Sequence, residues 1–216
     1  MKTISARVLA TAGLTIAGGA ALIATQAAAN DGAIHASATI EGPGGISGFA
    51  TFTEDAGGVV HVNVKVAGLT PGLHGTHIHA IGSCTPDANG VPFGGAGAHF
   101  NPHLALHGEH TRGEHAEHHA GDLPNLVVND DGRGRLNTAS AHFTLTDLVT
   151  ESLFDTNGSA IVIHANQDDY VTQTGPLGPG QSGPRIACGR IVEGSTYPRG
   201  MDPGRLHAGP RGRILE

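Results

Sequence analysis

From Asn30 onward the chain alternates apolar and polar positions in short runs, and helical periodicity is weak, so the pattern predicts strands. The clearest runs are Ala33 to Ile40, Gly48 to Thr53 and Val59 to Val66. In the third, Val60, Val62, Val64 and Val66 point one way and Val59, His61, Asn63 and Lys65 the other, which gives one wholly aliphatic face for a core. Gly42-Pro43-Gly44-Gly45 and Asp55-Ala56-Gly57-Gly58 between these runs have the residues of hairpin turns. Later strands are expected over Leu126 to Asn129, Arg135 to Phe143, Ala160 to His164 and Ile186 to Val192, with a turn at Asn129-Asp130-Asp131-Gly132. An antiparallel all-β domain, barrel or sandwich, is the expected result.

Two stretches break the rhythm, from about Ala80 to Asp122 and from about Ala165 to Pro184. Loops of that length are uncommon in compact domains unless they are functional. After Gly194 the chain becomes rich in Pro, Gly and Arg, and residues 195–216 are expected to form a poorly ordered tail with no assigned function. No internal repeat is present.

The first residues change the picture of where the protein works. Lys2 and Arg7 precede a small, apolar run from Val8 to Ile23, and Ala27-Ala28-Ala29 supplies a small-residue cleavage pattern. Residues 1–29 therefore read as an export signal, and 30–194 as one domain of a mature, exported protein, periplasmic or extracellular. No membrane insertion is expected after cleavage. Loss of two positive charges takes the formal charge from −7 to −9, which argues against nucleic acid as a partner. Cys84 and Cys188 are the only cysteines, and an oxidising compartment favours their pairing.

Histidine carries the chemistry. His77-Ile78-His79 would project two imidazoles to the same side of a strand, and further histidines arriving from Gly97-Ala98-His99 and Ile161-Val162-Ile163-His164 would complete a nitrogen-rich set that suits copper. In His118-His119-Ala120-Gly121-Asp122, a carboxylate three residues after His119 adds the oxygen donor that zinc accepts beside imidazole.

Five segments in one order carry a resemblance: Gly72 to His79, Gly97 to Pro102, His119 to Pro124, Ile161 to His164 with Asp168-Asp169, and Gly183 to Gly189. Together they resemble the copper/zinc superoxide dismutases, over essentially all of the chain between the leader and the tail. The short step from His79 to Cys84 is similar to the bacterial branch. The resemblance implies an eight-stranded antiparallel Greek-key barrel with two long functional loops. It implies copper on His77, His79, His99 and His164, and zinc on His99, His107, His119 and Asp122. His99 would then bridge the metals and deliver a proton, while Arg185 would receive superoxide, the substrate. Asp168 would link His77 to His107, and Cys84–Cys188 would be the disulfide. The assembly implied is a monomer or homodimer.

The chain also departs from the better-known animal pattern. Residues 165–184 contain no Lys or Arg, and Lys65 is the only lysine after the leader, so steering by loop lysines does not carry over. Arg112 or Arg190 would have to supply any such effect. Thr76 stands where many members have an aromatic residue, which implies altered packing. His74 is expected to be structural, and His35, His61, His142 and His207 to be solvated. His103, His110, His115 and His118, interspersed with Glu109, Glu114 and Glu117, read as a flexible segment that gathers metal weakly.

Overall fold

The computed structural model describes residues 33–110, 118–171 and 180–194, so the leader and the tail lie outside the described residues. Among the described residues, ten strand segments form one antiparallel sheet. They are β1 (Ile34–Gly42), β2 (Ile46–Glu54), β3 (Val60–Ala67), β4 (Gly72–His74) and β5 (Thr76–His79). Then come β6 (Leu126–Val128), β7 (Arg133–Ser140), β8 (Ala160–His164), β9 (Arg185–Arg190) and β10 (Val192–Glu193). Only Gly75 separates β4 from β5 and only Ile191 separates β9 from β10, so the segments amount to the eight strands expected.

The sheet order is β4-β6-β7-β3-β2-β1-β9-β8-β5. Its two ends, β4 and β5, are successive pieces of one interrupted strand, so that strand closes the sheet into a barrel. The interruption has a local cause. Gly75 takes a hydrogen bond from the His164 amide and gives one to Asn166 O, and a Cβ built on it would lie 2.5 Å from that of Ser182.

Alternation in β3 is as the sequence predicts, with Val60, Val62, Val64 and Val66 buried and His61 exposed. They join Ile40, Phe52, Ile78, Leu126, Ile161 and Ile163 in the barrel interior. Removing so much apolar surface from water, at about 25 cal/mol per Å², is the main force closing the barrel. The strand expected to reach Phe143 ends at Ser140 instead. There the Ser140 hydroxyl accepts a hydrogen bond from the His142 amide and the chain turns, while buried Glu54 accepts from the Thr144 hydroxyl and the Leu145 amide to hold the following loop.

Both long connections are present, from β5 to β6 and from β8 to β9. The first is not loose. Phe100 N donates to Ile78 O, Ile78 N to Gly121 O and Gly121 N to Phe100 O, so two loop segments lie against β5 as a substitute for neighbouring strands. Cys84 is bonded to Cys188 on β9, across 104 residues of sequence.

Candidate metal centre

Strand geometry sets the site. Ile78 faces the barrel interior, so His77 and His79 face outward, where the β5–β8 register puts them opposite Val162 and Ala160. His164, two residues beyond Val162, shares that outer face. Residues 98–100 and 120–122, laid along β5, deliver the rest: His99 is bridged to His79 and Asp122 to His77. All these side chains are buried beneath the two loops.

Two groups of donors result, His77, His79, His99 and His164, and His99, His107, His119 and Asp122, with His99 in both. In the first group each imidazole is oriented through one nitrogen. His79 Nδ1 donates to Gly97 O and His164 Nδ1 to Gly183 O, each at 2.9 Å, and His77 Nε2 donates to the Asp168 carboxylate. The other nitrogens, His77 Nδ1, His79 Nε2, His164 Nε2 and His99 Nε2, have no hydrogen-bond partner among the described residues. Four buried lone pairs directed at one another are costly unless a cation receives them, and neutral imidazole donors are what copper takes.

In the second group, Asp122 Oδ1 lies 2.8 Å from His99 Nδ1 and 3.2 Å from His119 Nδ1. The two Nδ1 atoms are 3.2 Å apart, and His107 Nδ1 is 3.0 Å from Asp122 Oδ2. Bonds of about 2.0 to 2.1 Å to a tetrahedral ion imply edges of roughly 3.3 Å, so this N₃O set has the size that zinc requires. His119, not its neighbour His118, enters the group.

Electrostatics agree with ligands kept ready. Burial lowers His77 and His79 well below the ordinary imidazole range, with neighbouring His99 adding to both effects. Burial likewise brings His164 down to about 4. Against the same burial, hydrogen bonds to Asp122 and Asp168 raise His107 to about 9. Burial also opposes ionisation of the two carboxylates, yet hydrogen bonds from histidine hold both well below their usual range.

Asp168 joins the groups. Its Oδ2 accepts from His77 Nε2 and its Oδ1 from His107 Nε2 at 3.0 Å. Asn125 fixes its backbone on both sides, accepting from Asp168 N at 2.8 Å and donating to Asp168 O at 3.1 Å. Above the bridge, Gly180 has no room for a side chain, since a Cβ there would lie 2.0 Å from Asp168 Oδ1.

Arg185 stands directly across the β8–β9 ladder from His164. Its guanidinium donates to Phe93 O at 2.8 Å and to Gly97 O at 2.6 Å, and Gly97 O also receives His79 Nδ1. Gly97 presents that carbonyl from a positive φ of 75°, which disfavours any residue with a side chain. A cavity of about 410 Å³ opens here, lined by Arg185, His99, His164, Asp87, Ser182 and Gly183 among others. Burial lowers the Arg185 pKa while Asp87 opposes the change. Arg190, exposed at the end of β9, does not line the cavity, and Arg112 lies outside the described residues.

Sequence reasoning missed Asn125, Gly180, Asp87 and the Gly97 carbonyl. His74 is structural as expected, donating from Nδ1 to His164 O at 2.7 Å. Thr76 is fully buried and donates to His74 O. Among the surplus histidines, His103 pairs with Glu151 at 2.9 Å, whereas His110 and His118 are buried, contrary to the flexible segment expected. His142 is half-buried and not solvated as expected, and His115 lies outside the described residues.

Fold and donors describe a β-barrel with two donor groups, sharing one imidazole, that could each hold a metal ion. The profile of the copper/zinc superoxide dismutase (SODC) family matches residues 46–191. The Superoxide dismutase Cu-Zn 2 of Mesembryanthemum crystallinum is 38% identical over 162 residues, covering 74% of this chain and 96% of the relative. That of Deinococcus radiodurans is 41% identical over 150 residues, covering 68% and 77%. Among solved structures, the clock protein EA4 is 31% identical with a TM-score of 0.60, over 73% of this chain and 92% of its own. A double mutant of a SOD-like protein from Bacillus subtilis is 35% identical with a TM-score of 0.59, over 71% and 94%.

The chain belongs to the copper/zinc superoxide dismutase family. It is an oxidoreductase that converts two superoxide anions and two protons to dioxygen and hydrogen peroxide, with copper and zinc as its metals.

Proposed function

We propose that His77, His79, His99 and His164 hold copper and that His99, His107, His119 and Asp122 hold zinc. The observation that supports this most directly is the set of four buried, unpartnered ring nitrogens, each on an imidazole whose tautomer suits ligation. Copper supplies the one-electron redox chemistry of dismutation, alternating between Cu(II) and Cu(I), which zinc cannot do. His99 has one nitrogen toward each group, so its Nε2 is the atom placed to carry a proton toward the forming peroxide. Arg185 remains protonated and lines the cavity, where it attracts and orients superoxide. Phe93 O and Gly97 O take two of its five N–H donors and hold the guanidinium still. Asp168 orients His77 and His107 and does not touch substrate. Metal analysis of His164→Ala tests the assignment. Copper should fall while zinc is retained, because His164 belongs to one group only; equal loss of both metals would overturn it.

The export reading is part of the same proposal: residues 1–29 are removed, 30–194 form the enzyme domain and 195–216 a tail. The leader pattern and the disulfide support it, since disulfides persist in oxidising compartments. Intact mass of the protein recovered outside the cytoplasm tests it, with Asn30 expected as the first residue.

A further inference from the structure

Three histidines outside both donor groups come together beside the zinc group. His110 and His118 come from the first long loop, and His142 follows the end of β7. The ring centroids are 5.4 Å apart for His110 and His118, 4.5 Å for His118 and His142, and 6.2 Å for His110 and His142. Ring pairs within the two metal groups span 4.0 to 6.4 Å, so the trio has the spacing of histidines that share an ion.

Spacing alone would also suit stacked rings, but the nitrogens distinguish the cases. His110 Nε2 donates to Ala139 O at 3.1 Å and His118 Nδ1 to His119 O at 2.7 Å. A carbonyl can only accept, so each ring donates from that nitrogen, which in a neutral imidazole leaves the lone pair on the other. Those others, His110 Nδ1 and His118 Nε2, are buried with no hydrogen-bond partner among the described residues. The residues are 8% and 1% exposed. The same arrangement, one nitrogen on a backbone carbonyl and the other bare, holds for His79 and His164 in the copper group. A pair of core histidines placed only for packing would not leave two such atoms unsatisfied on neighbouring rings.

We propose that His110, His118 and His142 form a third metal site, separate from the dinuclear centre, for a borderline divalent cation such as Zn²⁺ or Cu²⁺. Imidazole donors select that class over Mg²⁺ or Ca²⁺. The donor atoms do not converge as tightly as in the two primary groups, and His142 completes the trio from its half-buried rim. All three ligands are imidazoles and no carboxylate joins them, so the site binds less tightly than the zinc group with Asp122. An ion there pins the loop carrying His119 to the barrel end.

The test is calorimetric titration of Zn²⁺ into the full protein already loaded with copper and zinc, whose content is verified by metal analysis. One further equivalent per chain is expected. His110→Gln and His142→Gln should each weaken it at least tenfold, with both primary metals retained, while His103→Gln titrates like the native protein. Absence of a third equivalent, or native-like uptake by either His110→Gln or His142→Gln, would overturn the site. Should His110→Gln fail to load its primary metals, His142→Gln at the rim decides alone. Primary metal content is read separately, so failure of this site and failure of the dinuclear assignment are distinguishable.

Discussion

Asp168→Asn isolates the link between the two metal groups. The native carboxylate is fully buried and accepts three hydrogen bonds, from His77 Nε2, His107 Nε2 and Tyr170 N. Asparagine offers one oxygen and sets an N–H₂ group against the remaining ring N–H, so one charge-assisted bond worth about 1.5 to 3 kcal/mol must be lost. Which ring suffers follows from how each is otherwise held. His77 sits in β5, paired with β8 on one side and with loop backbone on the other, whereas His107 lies in irregular loop, its ring directed by side-chain contacts to Asp168 and Asp122. Zinc affinity should therefore fall about 10- to 100-fold, equivalent to about 1.4 to 2.8 kcal/mol, and copper affinity by less. Asn125 continues to fix the backbone, so the fold should persist. Competition titrations of the metal-stripped variant against chelators, one metal at a time, measure both affinities. Zinc binding within twofold of native, or a greater loss for copper than for zinc, would refute the reasoning.

Arg185→Ala should keep both metals and lower turnover at least tenfold, as read by a superoxide-generating assay beside metal analysis; full turnover at full copper occupancy would remove Arg185 from the reaction. Thiol labelling of freshly isolated, denatured protein should find no accessible Cys84 or Cys188 without reductant, and replacing both by Ser should destabilise the fold by about 4 to 5 kcal/mol for a loop of 104 residues. The metal-stripped protein should lose stability on acidification. His164 has a folded pKa of about 4 below an unfolded value of 6.5, so the unfolded chain binds more protons between those limits and roughly 3 kcal/mol is lost as the pH falls through them. His77 and His79 act in the same direction. His107, raised to about 9, stabilises below 6.5 and loses that contribution as the pH rises through 9. A urea midpoint that does not fall between pH 7 and pH 4.5 would contradict this account.

Strands with alternating faces were legible because burial on one side of a sheet writes directly into residue type, as the four valines of β3 do. The candidate metal donors could be named because imidazole and carboxylate are the chemistry itself, and the fold brings the named residues into two clusters. What escaped was mostly backbone. The carbonyls of Gly97 and Gly183 orient two histidines and, in the first case, Arg185, yet a carbonyl belongs to every residue and leaves no mark on a sequence. Gly180 and Asn125 act through close approach and pinning across the second loop, which only the folded chain reveals. The burial of His110 and His118 was hidden for a related reason, since a loop dense in Glu and His reads as solvated until its contact with the end of β7 is known.

Closure of the barrel through the broken strand β4–β5 bears on how the polypeptide reaches its native state. Neighbours β1, β2 and β3 pair in sequence order through short turns, so their meander can form early and at small entropic cost. Other pairings span far more sequence: β5 finds β8 from across more than a third of the chain and β1 finds β9 from across more than two thirds, long-range events that slow folding. His77 and His79 ride on a strand completed by one of these long-range pairings. The four candidate copper donors therefore come together only when distant segments have paired, so their cluster is a product of the completed barrel and not of the early meander.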